Sequence, residues 1–234
     1  MEAEDAVRQL SDALRDDKLV VLVGSAASGT SKDISGREYR GLLTPAEFVA
    51  KAAKSKSYVD GALNFTQTCD AIVAKESRQA LEQLLNTEYK RPEKFQSPPA
   101  HKILARLPFS VYLTSNYDES VERELERVPR RTSVVVTNED VARIRRASIQ
   151  VIKYHGCISR PDTLVATSGD VQKLPKERNL VGQLISVNLA NRNLLVIGHG
   201  LADQDLQNLL NGLLKNLKDY LPTIYVVREP SLTP

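Results

Sequence analysis

Four short stretches concentrate the residue types that hold phosphates, amides and protons: GSAASG at 24–29, TSNYD at 114–118, HG at 155–156 and GHG at 198–200. Glycines let a backbone come close to a phosphate. An uncharged amide such as Asn116 both donates and accepts. A carboxylate such as Asp118 offsets developing positive charge, and an imidazole is the side-chain type that exchanges a proton near neutral pH. Glycines, an amide, a carboxylate and an imidazole in one place make up a nucleotide site, so the question becomes whether the chain can bring these stretches together.

The elements around them say that it can. Each stretch directly follows an aliphatic run of the buried-strand kind: LVVLV, SVYLT, IQVIK and NLLVI. Val7, Leu10 and Leu14 predict a helix over 5–17. Thr44, Pro45 and Glu47 form a capping box that starts another helix. Helical pattern continues through 58–88, with Leu81, Leu84 and Leu85 in one stripe, and after a proline-rich break it resumes in HKILARL, giving a helical insertion over about 45–106. Beyond it strands and helices alternate: strand SVYLTS, helix DESVERELER, strand SVVVT, helix NEDVARIRR, strand IQVIKYHG, short strand TLVAT, helix ERNLVGQLISVNLAN, strand NLLVIGHG, helix ADQDLQNLLNGLLKNL and strand TIYVVRE. This order predicts an α/β fold with a mainly parallel sheet and helices on both faces, read as one domain over 1–234. In such sheets ligands bind outside the carboxyl ends of the strands, where all four polar stretches fall.

The loop at 24–31 fits neither of the two commonest phosphate motifs. A Walker loop needs a lysine after its second glycine, but Thr30 stands there and Lys32 comes two residues late. The dinucleotide fingerprint needs a glycine where Ala26 sits, and an acid at the end of a following strand where this chain has helices. For the loop taken alone, a plain Gly/Ser turn between strand and helix remains the alternative.

Composition narrows the class. With 32 Lys and Arg against 29 Asp and Glu, the net charge of +3 does not argue for a nucleic-acid or membrane surface, and the basic segments at 127–131 and 143–146 read as solvated faces. Two cysteines cannot build a disulfide framework or a structural zinc site. The amino terminus lacks a signal-peptide pattern and no apolar run is long enough to span a bilayer, so the expected location is the cytoplasm. The chain ends close after its last predicted strand, which fits one module of a longer protein. Among the remaining candidates, His101 reads as structural and Cys157 as a buried thiol, while His199 is the rival imidazole to His155.

The loop GSAAS, the stretch at 100–126 containing TSNYD, VIKYHGCISRPDTLVAT and LLVIGHGLADQDLQNLL resemble, in order and spacing, the zinc-less prokaryotic branch of the sirtuin-like family. The resemblance implies a Rossmann-like domain that binds NAD and hydrolyses it to nicotinamide and ADP-ribose as an antiphage response. It implies Asn116 and His155 as the catalytic pair. For binding it implies Gly24, Ser25, Ala26 and Ser28 at the pyrophosphate, Asp118 beside the nicotinamide ribose and Gly198 with Gly200 toward the adenosine ribose; Ser115 and His199 are counted with the binding residues, His199 on the adenosine side or in packing. Ala26 stands where the family has a second glycine, adding a methyl near the phosphate. The four-cysteine module of sirtuin deacylases cannot be built here, so no metal is expected and deacylation is disfavoured. A regulated hydrolase implies a homo-oligomer, a regulatory domain or a partner that keeps it silent; the alternative is a sensor that holds NAD or ADP-ribose without chemistry.

Overall fold

The computed structural model describes residues 3–32, 35–90, 97–200, 207, 211 and 222–227. The helix expected over 202–217 lies, apart from Gln207 and Asn211, outside the described residues. In chain order the elements are α1 (Ala3–Arg15), β1 (Leu19–Val23), the one-turn α2 (Ser25–Ser28), a small hairpin of β2 (Ser31–Lys32) and β3 (Glu38–Tyr39), then α3 (Pro45–Ser55), α4 (Phe65–Lys75), α5 (Arg78–Tyr89) and α6 (Pro99–Arg106). They continue with β4 (Val111–Thr114), α7 (Ser120–Leu125), β5 (Thr132–Val135), α8 (Asn138–Val141), β6 (Ile149–Lys153), α9 (Ser168–Glu177), α10 (Asn179–Ala190), β7 (Asn193–Ile197) and β8 (Ile224–Val227).

Six strands form one sheet in the order β5-β6-β4-β1-β7-β8, and every pairing is parallel. The chain fills one side of β1 with β4, β5 and β6 before crossing to lay β7 and β8 on the other. β1 therefore stands at a topological switch point, where loops leaving neighbouring strands diverge and open a crevice.

Strand side chains alternate between two buried layers. Val20, Leu22, Leu113, Ile152 and Val196 pack with Leu174 of α9 and Val181, Ile185 and Leu189 of α10. Leu19, Val21, Tyr112, Val151 and Leu195 pack on the opposite face with α6, α7 and the Leu10 and Leu14 side of α1. A third cluster lies beyond the sheet edge, where Phe48, Ile72, Leu81, Leu85 and Tyr89 of α3 to α5 pack on Tyr117, Ile158 and Leu164 from the strand-end loops. Helices α3 to α5 thus bury their apolar stripes against the loops that carry the polar motifs.

Local chemistry explains most boundaries. The Thr44 capping box is present, with the Glu47 amide donating to Thr44 Oγ1 at 3.3 Å and the Thr44 amide to Glu47 Oε2 at 2.7 Å. Two segments differ from the sequence reading. The segment TLVAT forms no strand: Thr163 closes a 3-10 turn, Leu164 to Ala166 are buried, and Val165 donates to the His155 carbonyl and accepts from the Tyr117 hydroxyl. Its backbone is satisfied by loops, so it passes beneath the strand ends as a strap. Residues 168–176, for which the sequence reading names no element, form α9 together with Glu177, because Thr167 and Asp170 cap it and Leu174 anchors it in the core.

Candidate functional site

The strand register sets the site. Lys153 of β6, Thr114 of β4, Val23 of β1 and Ile197 of β7 lie on one continuous line across the sheet. The next residues, Tyr154, Ser115, Gly24 and Gly198, therefore leave the sheet at the same level, and all four polar stretches emerge along one edge.

The loop after β1 makes a single helical turn held by backbone from β7. Gly24 donates to the Ile197 carbonyl at 2.9 Å, and Ala26 donates to the Gly198 carbonyl at 3.0 Å. A Cβ on Gly24 would meet Gly198 O at 2.3 Å, and a Cβ on Gly198, which sits at φ +65°, would meet Ala27 N at 2.3 Å. Both glycines are required by this backbone approach. Ala26 is exposed, whereas Ser25 and Ser28 line the cavity described next.

A cavity of about 760 Å³ opens at this edge, within the size range of small-molecule sites. Ser25, Ser28, Ser115, Asn116, Asp118, His155, His199 and Gly200 form its polar wall; Leu42, Leu43, Phe65, Tyr89 and Val171 form an apolar wall supplied by the helical layer and α9. Asn116 is held from two sides: its amide donates to Thr114 Oγ1 at 3.0 Å, and its Nδ2 donates to Ser28 Oγ at 3.2 Å. Ser115 Oγ lies 3.3 Å from His199 Nε2. Of the residues selected from sequence, Gly24, Ala26 and Gly198 support the loop backbone rather than line the cavity.

Asp118 is buried, with Oδ1 accepting from the Ser120 amide at 2.9 Å. Burial alone would raise its carboxyl pKa, but the Lys153 charge beside it and the hydrogen bonds of Ser120 outweigh that and hold it below the usual carboxylate range. Lys153 is itself fully buried, donating to the Asp118 carbonyl and to Glu122 Oε1 at 2.7 Å. Burial opposes its charge, yet the surrounding acids hold its pKa above that of an ordinary lysine. The Lys153–Glu122 ion pair therefore lies behind Asp118, and its ammonium faces the Asp118 backbone. The His155 loop is pinned from behind: the buried Arg178 guanidinium donates to the Tyr154 and Thr163 carbonyls, and Gly156 turns at φ +100° where a Cβ would strike Thr163 O.

Sequence reasoning missed the apolar wall. Its nearest signal was a second capping box, Asn64 with Gln67, which sets Phe65 at the first turn of α4. His101, read from sequence as structural, is buried with its Nε2 3.3 Å from Ser28 Oγ. Among the described residues no cluster of His, Cys, Asp and Glu could hold a metal ion, and no helix is long and apolar enough to cross a membrane.

A parallel sheet with a glycine-bearing loop at its switch point and a polar cavity outside its strand ends defines a Rossmann-like α/β protein. Residues 110–233 match the SIR2-like domain, and the chain belongs to that family. It is 24% identical over 209 residues to the NAD(+) hydrolase ThsA of Cytobacillus dafuensis, an alignment covering 89% of this chain and 40% of that protein. It is 29% identical over 137 residues to the protein of the same name in Bacillus cereus (strain MSX-D12), covering 58% of this chain and 28% of that one. Defense-associated sirtuin 2 of Bacillus subtilis is 29% identical over 143 residues, covering 59% and 14%. The chain thus spans less than half the length of these curated relatives.

Proposed function

We propose that this chain is an NAD hydrolase domain that cleaves the bond between nicotinamide and ribose, releasing nicotinamide and ADP-ribose, and that it serves antiphage defence by depleting NAD. The observation that carries the reading is the shared cavity. A hydrogen-bonded Asn116 and Ser28, an ionised Asp118 and His155 face one space whose opposite wall is apolar and aromatic. Relatives named NAD(+) hydrolase support it.

The chemistry follows from the residue types. Cleavage of the glycosidic bond builds positive charge on the ribose, so a site must hold the sugar, stabilise that charge and bring water to the open face. Asn116 has its Nδ2 occupied by Ser28, leaving its carbonyl oxygen to accept from a ribose hydroxyl or the attacking water. His155 acts as general base for that proton. Asp118, kept ionised by Lys153, offsets the developing charge. Ser25 and Ser28 contact phosphate or ribose oxygens, Ser115 and His199 lie next along the wall, and Gly200 borders the adenosine side. Leu42, Phe65 and Tyr89 receive the flat nicotinamide ring. We further place the protein in the cytoplasm, held silent by self-assembly or by a regulatory domain or partner.

The test is incubation of the protein with NAD followed by chromatography of the products. Nicotinamide and ADP-ribose are expected in equal amounts, with turnover reduced at least about a hundredfold in Asn116→Ala and in His155→Ala. Wild-type turnover in both variants would remove the catalytic assignment. Tight NAD binding without product would leave a sensor instead.

A further inference from the structure

Behind the polar wall a buried imidazole touches the site through one hydroxyl. His101 of α6 is 2% exposed, and its Nε2 lies 3.3 Å from Ser28 Oγ. The same oxygen receives the Asn116 Nδ2 donor at 3.2 Å. On the other side of the ring, Nδ1 is buried and has no hydrogen-bond partner among the described residues.

These contacts decide where the proton sits. Burial lowers the His101 pKa, against the pull of the Asp118 and Glu124 carboxylates that face it, so the ring is neutral and carries one N–H. A proton on Nδ1 would strand a donor in the interior, whereas a proton on Nε2 strands only a lone pair, and orphaned buried N–H groups are the rarer and costlier case. With the proton on Nε2, Ser28 Oγ accepts from both His101 and Asn116. A hydroxyl has two lone pairs and one proton. Both lone pairs are then used, and the proton is left for whatever enters the cavity that Ser28 lines.

We propose that His101 is a positioning residue, which with Asn116 saturates the acceptor capacity of Ser28 and so commits the Ser28 hydroxyl to donate to an oxygen of the bound nucleotide. The proposal rests on the NAD reading for the ligand, but not for the hydrogen-bond geometry. It also makes Ser28 the element that fixes the Asn116 amide with its carbonyl oxygen toward the cavity.

Two measurements test it. The first needs no turnover: ¹⁵N spectra of the histidine rings, with His101 assigned by its loss in His101→Phe, should show the Nε2–H tautomer at neutral pH. An Nδ1–H tautomer overturns the proposal whether or not the protein acts on NAD. The second is a kinetic cycle. His101→Phe keeps the buried volume but removes the donor, and should lower kcat/KM for NAD about tenfold, the scale of one lost hydrogen bond. His101→Gln, which can place an amide donor near Nε2, should recover most of that loss. In a Ser28→Ala background the His101→Phe change should add less than about twofold, because the two residues act in series. A full multiplicative loss in the double variant would mean that His101 acts through packing alone and would overturn the proposal. Absence of NAD turnover in the wild type would sink the hydrolase reading while the tautomer still decides the role of His101.

Discussion

Asn116 does not hold its orientation alone. Thr114 Oγ1 donates to the Val23 carbonyl at 2.7 Å while accepting from the Asn116 amide, so the end of β4 is tied to β1 at the residue that introduces the amide. Neighbouring positions on the loop after β1 differ sharply in what they tolerate. Gly24→Ala would drive a methyl to 2.3 Å from Gly198 O, and urea denaturation should show a loss of about 1–3 kcal/mol from overpacking. Ala26→Gly should behave oppositely for its site. The methyl is exposed and outside the cavity lining, so calorimetry should find NAD affinity changed by less than about threefold, with a stability cost of roughly 0.5–1 kcal/mol from glycine in a helical turn. From sequence, Ala26 reads as a methyl close to phosphate; the one-turn helix rotates it away, and no linear pattern specifies that rotation.

At the scale of elements, the strands were legible because continuous aliphatic runs bounded by glycine and polar residues mark buried parallel strands. α3 was legible through its capping box. α9 was not, because Gly169 and Pro175 oppose helix locally and the compensating contributions, the Asp170 cap and the burial of Leu174, depend on tertiary contacts. TLVAT reads as a strand because its apolar residues are buried, Val165 with the sheet and Leu164 and Ala166 with the helical layer, but its backbone bonds to loops rather than to a neighbouring strand. Arg178 clamps this strap to the His155 loop through the Thr163 and Tyr154 carbonyls. Arg178→Met would leave two buried acceptors without their donor, which predicts a loss of about 2–4 kcal/mol and faster hydrogen exchange at the Val165 amide. Arg178→Lys should restore part of both.

For the molecule as a whole, three acids tie separate elements to the site. Asp118 sits in the floor, Asp140 binds Arg160, and Asp170 binds Arg78 of α5 while capping α9. In each, burial raises the pKa, but ion pairing and hydrogen bonds win and hold it below the ordinary aspartate value. A depressed carboxyl adds stability that is fully present above its unfolded pKa and is lost as pH falls through its folded one. Stability should therefore be flat with respect to these groups above about pH 5 and fall progressively below about pH 4. Asp170→Asn should make that acid limb shallower in circular dichroism melts while lowering stability at neutral pH; an unchanged limb would show that Asp170 does not contribute. The sequence by itself determined the alternation of strands and helices, and with it the delivery of GSAAS, TSNYD, HG and GHG to one sheet edge, because aliphatic runs and parallel topology are local and periodic properties. Only the tertiary structure decided which of these side chains share a cavity, which glycines serve backbone contact, and that His101 stands behind Ser28. Those relations depend on register and on packing between residues 73 positions apart, a distance over which no periodicity carries information.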